Sequence, residues 1–202
     1  MAVFMKRDRY SWESLPYIRL LSITSSGTQF INTLFNPKYN TRVVLSMSGL
    51  PAANAYIFGT RDASSTTDSN LMFGAYRNAS RIYSDYMGNR AYKSMTDTTP
   101  QMIVDMNAHI LKVGDIQVNN TAATSGVCPY PLFIFGVNSM GAGVKNPASY
   151  TLDWCEIYDG ESLARSYVPA KLKDTEEIGL WDLVENKFYG NSGTGVFTGV
   201  VM

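Results

Sequence analysis

Histidine occurs once and cysteine twice in these 202 residues. The lone His109 sits in "DMNAHILK", with no Cys beside it and no G-x-S-x-G turn to serve. It reads as a turn or strand histidine near the surface rather than a catalytic base. Cys128 and Cys155 are too few for a disulfide framework and lie at no zinc spacing. Both are expected as unpaired thiols, a single bridge being the alternative, and Cys155 within the strand-like "YTLDWCEIY" acts as a small apolar residue. An excess of one charge is missing too. Lys plus Arg and Asp plus Glu each number 17, which leaves no net field to draw nucleic acid or an anionic membrane. The densest basic stretch, "MKRDR" at residues 5–9, reads as part of a solvated arm. No apolar run has signal-peptide length, and none approaches the ~18 residues of a membrane helix. A soluble protein that does not use the usual secretory signal is therefore expected. No window repeats apolar residues at helical spacing, and no internal repeat or linker marks a second domain.

What the chain has instead is aromatic and turn-forming. Its 13 Tyr, 9 Phe, 3 Trp and 16 Gly favour pleated strands and tight turns. Tyrosine is also the residue of polar recognition surfaces, flat and apolar with a hydroxyl at its edge. Residues 1–16 read as an arm closed by Pro16, a candidate attachment segment. Beyond it, "YIRLLSITSSGTQFINTLFNP" is a pair of apolar runs split at "SSGT". "TRVVLSMSGL", "AYIFGTR", "LMFGAY" and "SRIYSDYMGNRAY" are strand candidates, "DASSTTDSN" at 62–70 is a loop, and "QMIVDMNAHILKVGDIQV" reads as strands reversing at "NAH" and "VGD". "YPLFIFGV" is a short continuous apolar run, the mark of a strand buried on both faces. "YTLDWCEIYDGESLARSYVPA" reads as a hairpin turning at Asp159-Gly160 and ending at Pro169. "IGLWDLVENKFYGNSGTGVFTGVV" gives three more short strands. About a dozen strands with regular turn signals predict an all-β antiparallel sandwich or jelly roll over residues 17–202.

The two ends carry a family likeness. "LLSITSSGTQFINTLFNP" resembles the opening, and "TLDWCEIYDGESLARSYVPAK" with "IGLWDLVENKFYGNSGTGVFTG" the closing pattern, of concanavalin A-like (laminin G-like) jelly-roll domains. Such domains occur in bacteriophage virion proteins and bacterial surface proteins. The middle is similar in style only, through "YIFGTR" and "YPLFIFGVN". The resemblance implies that Phe188, Tyr189 and Phe197 pack a strand pair, that Pro169 ends a strand, and that the glycines of "GNSGTG" permit turns. The family includes carbohydrate-binding modules, adhesins and virion domains, so the likeness transfers a fold rather than an activity.

Tested for chemistry, the sequence offers little. A glycoside hydrolase on this scaffold needs two carboxyl groups flanking the scissile bond. The nearest approach, Glu156, Asp159 and Glu161 in "EIYDGE", is expected to splay around a hairpin turn instead of lining one strand face. Calcium has the carboxylates and amide of Asp62, Asp68 and Asn70, which do not fit a D-x-D-x-D-G loop and read rather as a plain solvated loop. "GNSGTG" lacks the helix that a phosphate loop requires after its glycines and is predicted to be a turn between two strands with its polar residues facing water. The sugar-like palette is "RIYSDYMGNR", which supplies Arg81, Tyr83, Asp85, Tyr86, Asn89 and Arg90, with Arg81, Tyr83 and Asp85 sharing one strand face. The same run also fits an edge strand whose polar residues deter aggregation. "NAS" at Asn78 and "NNT" at Asn119 match the glycosylation pattern but have no secretory signal to make it relevant.

These readings lead to a non-enzymatic bacteriophage virion protein as the expected function: a head decoration, head fibre or tail receptor-binding subunit. Its expected partners are other virion proteins, further copies of itself and cell-surface or mucosal carbohydrate, with no nucleic acid, no membrane and no cofactor other than calcium. A carbohydrate-binding or adhesin module of a bacterial surface protein is the alternative, and a glycan-active enzyme a third reading that the carboxylate pattern opposes.

Overall fold

The computed structural model describes residues 15–51, 54–62, 72–95 and 101–202, and among them every regular element is a strand. In chain order these are β1 (Tyr17–Thr24), β2 (Ile31–Asn32), β3 (Thr41–Ser48), β4 (Ala55–Arg61), β5 (Met72–Asn78), β6 (Arg81–Tyr86), β7 (Asn89–Ser94), β8 (Gln101–Asn107), β9 (Ile110–Val113), β10 (Ile116–Asn119), β11 (Phe133–Ile134), β12 (Val137–Ser139), β13 (Val144–Lys145), β14 (Thr151–Asp159), β15 (Ser162–Leu172), β16 (Ile178–Asp182), β17 (Lys187–Tyr189) and β18 (Thr198–Val201). They form two sheets. One runs β10-β9-β8-β3-β14-β1-β15-β16-β17, with β18 beside β1; the other runs β13-β12-β4-β5-β6-β7, with β11 linking β4 to β2. Pairing is antiparallel except between β12 and β4. The protein is an all-β sandwich of two sheets.

Period-two alternation explains why these segments are strands with one face inward. In β8, Met102, Val104 and Met106 are buried while Gln101, Ile103 and Asn107 are exposed. Inward residues of both sheets, among them Leu45, Val104 and Leu152 from one and Phe58, Phe73 and Ile82 from the other, join one core cluster. Cys155 is fully buried in it, as is Cys128, and both are free thiols. Burial pushes the Cys128 thiol up to about 12, and Cys155 is raised for the same reason. A second, smaller cluster of Tyr17, Val168, Ala170 and Trp181 packs on the other side of the ten-stranded sheet, where Tyr17 stacks on Trp181 at 4.6 Å between ring centroids.

Several expectations hold and several need correction. The reversals at "NAH" and "VGD" are the β8–β9 and β9–β10 hairpins. The β14–β15 hairpin turns at Gly160 with φ 60°, but β15 runs through Pro169 to Leu172 instead of stopping there. The reason is a change of partners: β15 pairs with β14 up to Tyr167 and with β1 from Ala170 onward. Pro169, which has no N–H to give, falls in the gap between them. "YPLFIFGV" is buried as expected but is not one strand, because Phe135 at φ 69° and Gly136 break it into β11 and β12. "SRIYSDYMGNRAY" is a hairpin rather than a single strand. Met87 and Gly88, at φ 42° and 84°, make the two-residue turn between β6 and β7, as a type I′ turn requires.

The "GNSGTG" loop lies between two strands, β17 and β18, with Ser192 and Thr194 exposed, as expected. It does not join a paired hairpin, since β17 pairs with β16 and β18 with β1. It locks instead onto residues 28–30 near the start of the chain. Ser192 N–H donates to Phe30 O at 2.9 Å, Thr194 N–H to Thr28 O at 3.2 Å, and the Thr28 hydroxyl returns a bond to Thr194 O at 3.0 Å. Gln29 Nε2 donates to Val196 O at 3.0 Å. Asn191 Oδ1 accepts from Gly193 N at 2.9 Å and Phe30 N at 3.3 Å. Gly193 must be glycine because a Cβ there would lie 2.2 Å from Thr28 O. The two segments that resemble the jelly-roll family are thus bound to each other.

Candidate saccharide-recognition face

Ile82 and Tyr86 of β6 point into the core, so Arg81, Tyr83 and Asp85 take the opposite face of the eight-stranded sheet, as alternation demands. The hairpin then brings β7 alongside in fixed register, with Tyr83 opposite Tyr92 and Asp85 opposite Arg90. On the other side, Tyr83 faces Tyr76 of β5, and Tyr76 faces Tyr56 of β4. Four tyrosines from four adjacent strands therefore form one row. Successive ring centroids are 4.8, 5.5 and 5.2 Å apart, with the rings tilted against one another. These spacings are those of directly opposed cross-strand pairs.

A buried ion pair anchors the row. Asp85 is 1% exposed. Arg90 holds it with two donors, Nε to Oδ1 at 2.5 Å and an Nη to Oδ2 at 2.7 Å. The Tyr56 hydroxyl donates to Asp85 Oδ2 at 2.6 Å and accepts from Arg90 at 2.9 Å, closing a triangle. Burial, and then the charge of Asp85, raises the Tyr56 hydroxyl well above its ordinary value, so it stays a donor. Burial works against the Arg90 charge, but the hydrogen bonds and charge of Asp85 outweigh it and hold the guanidinium protonated. The glycines make room for this. Gly59 and Gly74 are directly paired, and the Tyr56 ring lies across them, 3.1 and 3.4 Å from where their Cβ atoms would be.

From that anchor the Arg90 guanidinium sits 5.2 Å from the centroids of both Tyr76 and Tyr83. Arg81 lies 4.4 Å over Tyr92, which is 50% exposed. Each contact is within cation–π range. The face therefore runs from a sealed end at Tyr56 to an open end at Tyr92 and Arg81. Chemically it offers aromatic walls, hydroxyl edges and guanidinium donors held in place.

Of the sequence-predicted residues, Arg81, Tyr83, Asp85 and Arg90 come together here. Tyr86 does not: it is 1% exposed, packs on Phe73, and donates its hydroxyl to Tyr39 O at 2.5 Å. Asn89 lies at the turn and bonds Met87 O at 3.4 Å. Tyr56, Tyr76 and Tyr92 were missed by sequence reasoning. The edge-strand reading fits β7, whose outer positions are mostly exposed at the end of its sheet.

The other candidates take these positions. Asp159 pairs with Lys38 at 2.6 Å, Glu156 accepts the Tyr158 hydroxyl at 2.7 Å, and Glu161 is exposed in the hairpin turn. His109 is at the β8–β9 turn, its ring centroid 6.2 Å from that of Tyr86. Asp62 has a buried Oδ1, while Asp68 and Asn70 lie outside the described residues, as do residues 1–14 of the arm expected over 1–16. Among the described residues no three His, Cys, Asp or Glu side chains are grouped to hold a metal, and no helix is long and apolar enough to cross a membrane. No protein-family profile and no curated protein sequence matches the chain.

Proposed function

We propose that this chain is a non-enzymatic structural protein of a bacteriophage virion, a head decoration, head fibre or tail receptor-binding subunit, that adheres to saccharides through its tyrosine face. The observation that carries the recognition role is the four-tyrosine row anchored by Asp85 and Arg90, since sugar sites combine aromatic walls with a few fixed polar groups. What supports the virion setting is the likeness of both chain ends to concanavalin A-like domains of phage proteins, and on that likeness the sandwich is a jelly roll. Many copies on one particle turn weak contacts into strong adhesion, so the working form is a homo-oligomer displayed in multiple copies.

Two measurements test this. Mass spectrometry of density-purified virions from the producing host is expected to contain the chain at tens of copies or more per particle, as multivalent adhesion needs. A glycan array is expected to bind the protein, with Tyr83→Ala and Tyr92→Ala weakening the signal about tenfold, the ~1.4 kcal/mol that an aromatic contact contributes. Glycan binding without particle association makes it a bacterial surface adhesin module instead. Absence of both outcomes sinks the proposal.

A further inference from the structure

The tyrosine face is not electrically neutral, although the chain is. On the face itself strand parity places Arg81 and Arg90 against one carboxylate, Asp85. Asp85 is fully committed: it is buried and receives Arg90 and Tyr56. Its charge therefore cancels that of Arg90 and leaves Arg81 at the open end. Arg81 is exposed and makes no ion pair among the described residues. Its guanidinium lies on the face of Tyr92, with the Tyr83 hydroxyl in hydrogen-bonding reach of one of its N–H groups and the others turned to solvent. A guanidinium stacked on an aromatic ring keeps its in-plane N–H donors free to fork onto an oxyanion. The ring faces are also largely taken: Arg90 covers Tyr76 and Tyr83, and Arg81 covers Tyr92. What the face presents outward is thus cationic edge more than bare aromatic plane.

We infer that the ligand of this face is an anionic saccharide, a chain bearing carboxylate or sulfate groups, with Arg81 as the residue that receives its charge. The inference rests on the saccharide reading above and narrows it. A neutral sugar would have to displace Arg81 from Tyr92 to stack there. An acidic one meets Arg81 in place, while its ring edge and hydroxyls reach Tyr83 and Tyr92. Asp85 and Arg90 act as positioning residues that fix the row.

The test uses the full chain in titration calorimetry against polygalacturonate, heparin and neutral amylose of matched length. Polygalacturonate or heparin is expected to bind at least tenfold more tightly than amylose, and to lose that margin between low and high salt as screening sets in. The two acidic polymers separate carboxylate from sulfate as the anion recognised. Arg81→Gln is expected to weaken acidic-polymer binding about tenfold, the size of a lost hydrogen bond to a charged group. Arg81→Lys should recover only part of it, lacking the fork. Lys93→Gln, which removes the same charge from the opposite face of the hairpin, is expected to change nothing. Equal binding of amylose and the acidic polymers, or equal losses in Arg81→Gln and Lys93→Gln, overturns the inference and leaves saccharide recognition standing. Binding to none of the three, together with a silent glycan array, removes both.

Discussion

Asp85 is the residue on which the face depends. Its carboxylate is out of contact with water and has three donor bonds from Arg90 and Tyr56. Asp85→Ala would strand a half-buried guanidinium and a buried hydroxyl, and should cost about 3 kcal/mol of stability in urea unfolding. Tyr92→Ala, at an exposed position, should cost under about 1 kcal/mol. Cys128 makes a different prediction. Its thiol is raised to about 12 by burial, whereas an unfolded thiol ionises near pH ~8.5. The stabilisation is therefore complete below that lower value and is lost as pH rises toward the folded one, at up to ~1.4 kcal/mol per pH unit. Cys128→Ala should flatten the alkaline fall of the urea midpoint, and an unchanged slope would count against burial of the neutral thiol. At this scale the sequence reveals part of the site. Strand parity puts Arg81, Tyr83 and Asp85 together, and the same parity, applied through to residue 86, sends Tyr86 inward. Reading "MG" as a two-residue turn would further have placed Arg90 across from Asp85 and Tyr92 across from Tyr83. Tyr56 and Tyr76 had no such local signal. Their places come from pairing between separate strands, and the bulge between Tyr56 and Phe58 breaks the alternation that would have hinted at it.

At the scale of elements, the loop from Gly190 to Phe197 is a clamp as well as a turn between strands. Gly193→Ala would force a Cβ onto Thr28 O and break the bonds at Ser192 and Thr194. It should destabilise the protein by about 2 kcal/mol, within the usual range for overpacking. The same substitution at Gly49, where no heavy atom lies within 4 Å of the added Cβ but φ is 75°, should cost about 1 kcal/mol from backbone strain alone. Comparing the two midpoints separates close approach from left-handed backbone. The strand content of both ends was legible because their apolar runs are short and sharply punctuated. The clamp was not, because residues 28–30 and 190–197 are far apart in sequence and nothing local announces their meeting. Pro169 shows the same limit: a proline reads as a stop, yet the strand passes through it where the partner changes.

At the scale of the molecule, strand order sets how the chain must fold. β1, first in sequence among the described strands, lies between β14 and β15 and also pairs with β18. The ten-stranded sheet is therefore incomplete until the last residues arrive. Such long-range pairing predicts slow folding. A core shared by both sheets predicts a single unfolding transition, with calorimetric and van't Hoff enthalpies equal. A chain ended at Tyr189, lacking clamp and β18, should show no cooperative transition. The antiparallel match of β1 with β18 sets Leu20 beside Val201 and Thr24 beside Thr198. The points where the backbone enters the first strand and leaves the last are therefore neighbours. Tension applied between those points would peel cross-strand hydrogen bonds apart one pair after another, a weak mode of loading, whereas tension carried to the eight-stranded sheet through one of them alone never strains that seam. An attachment that has to bear load is therefore best made through only one of these two points.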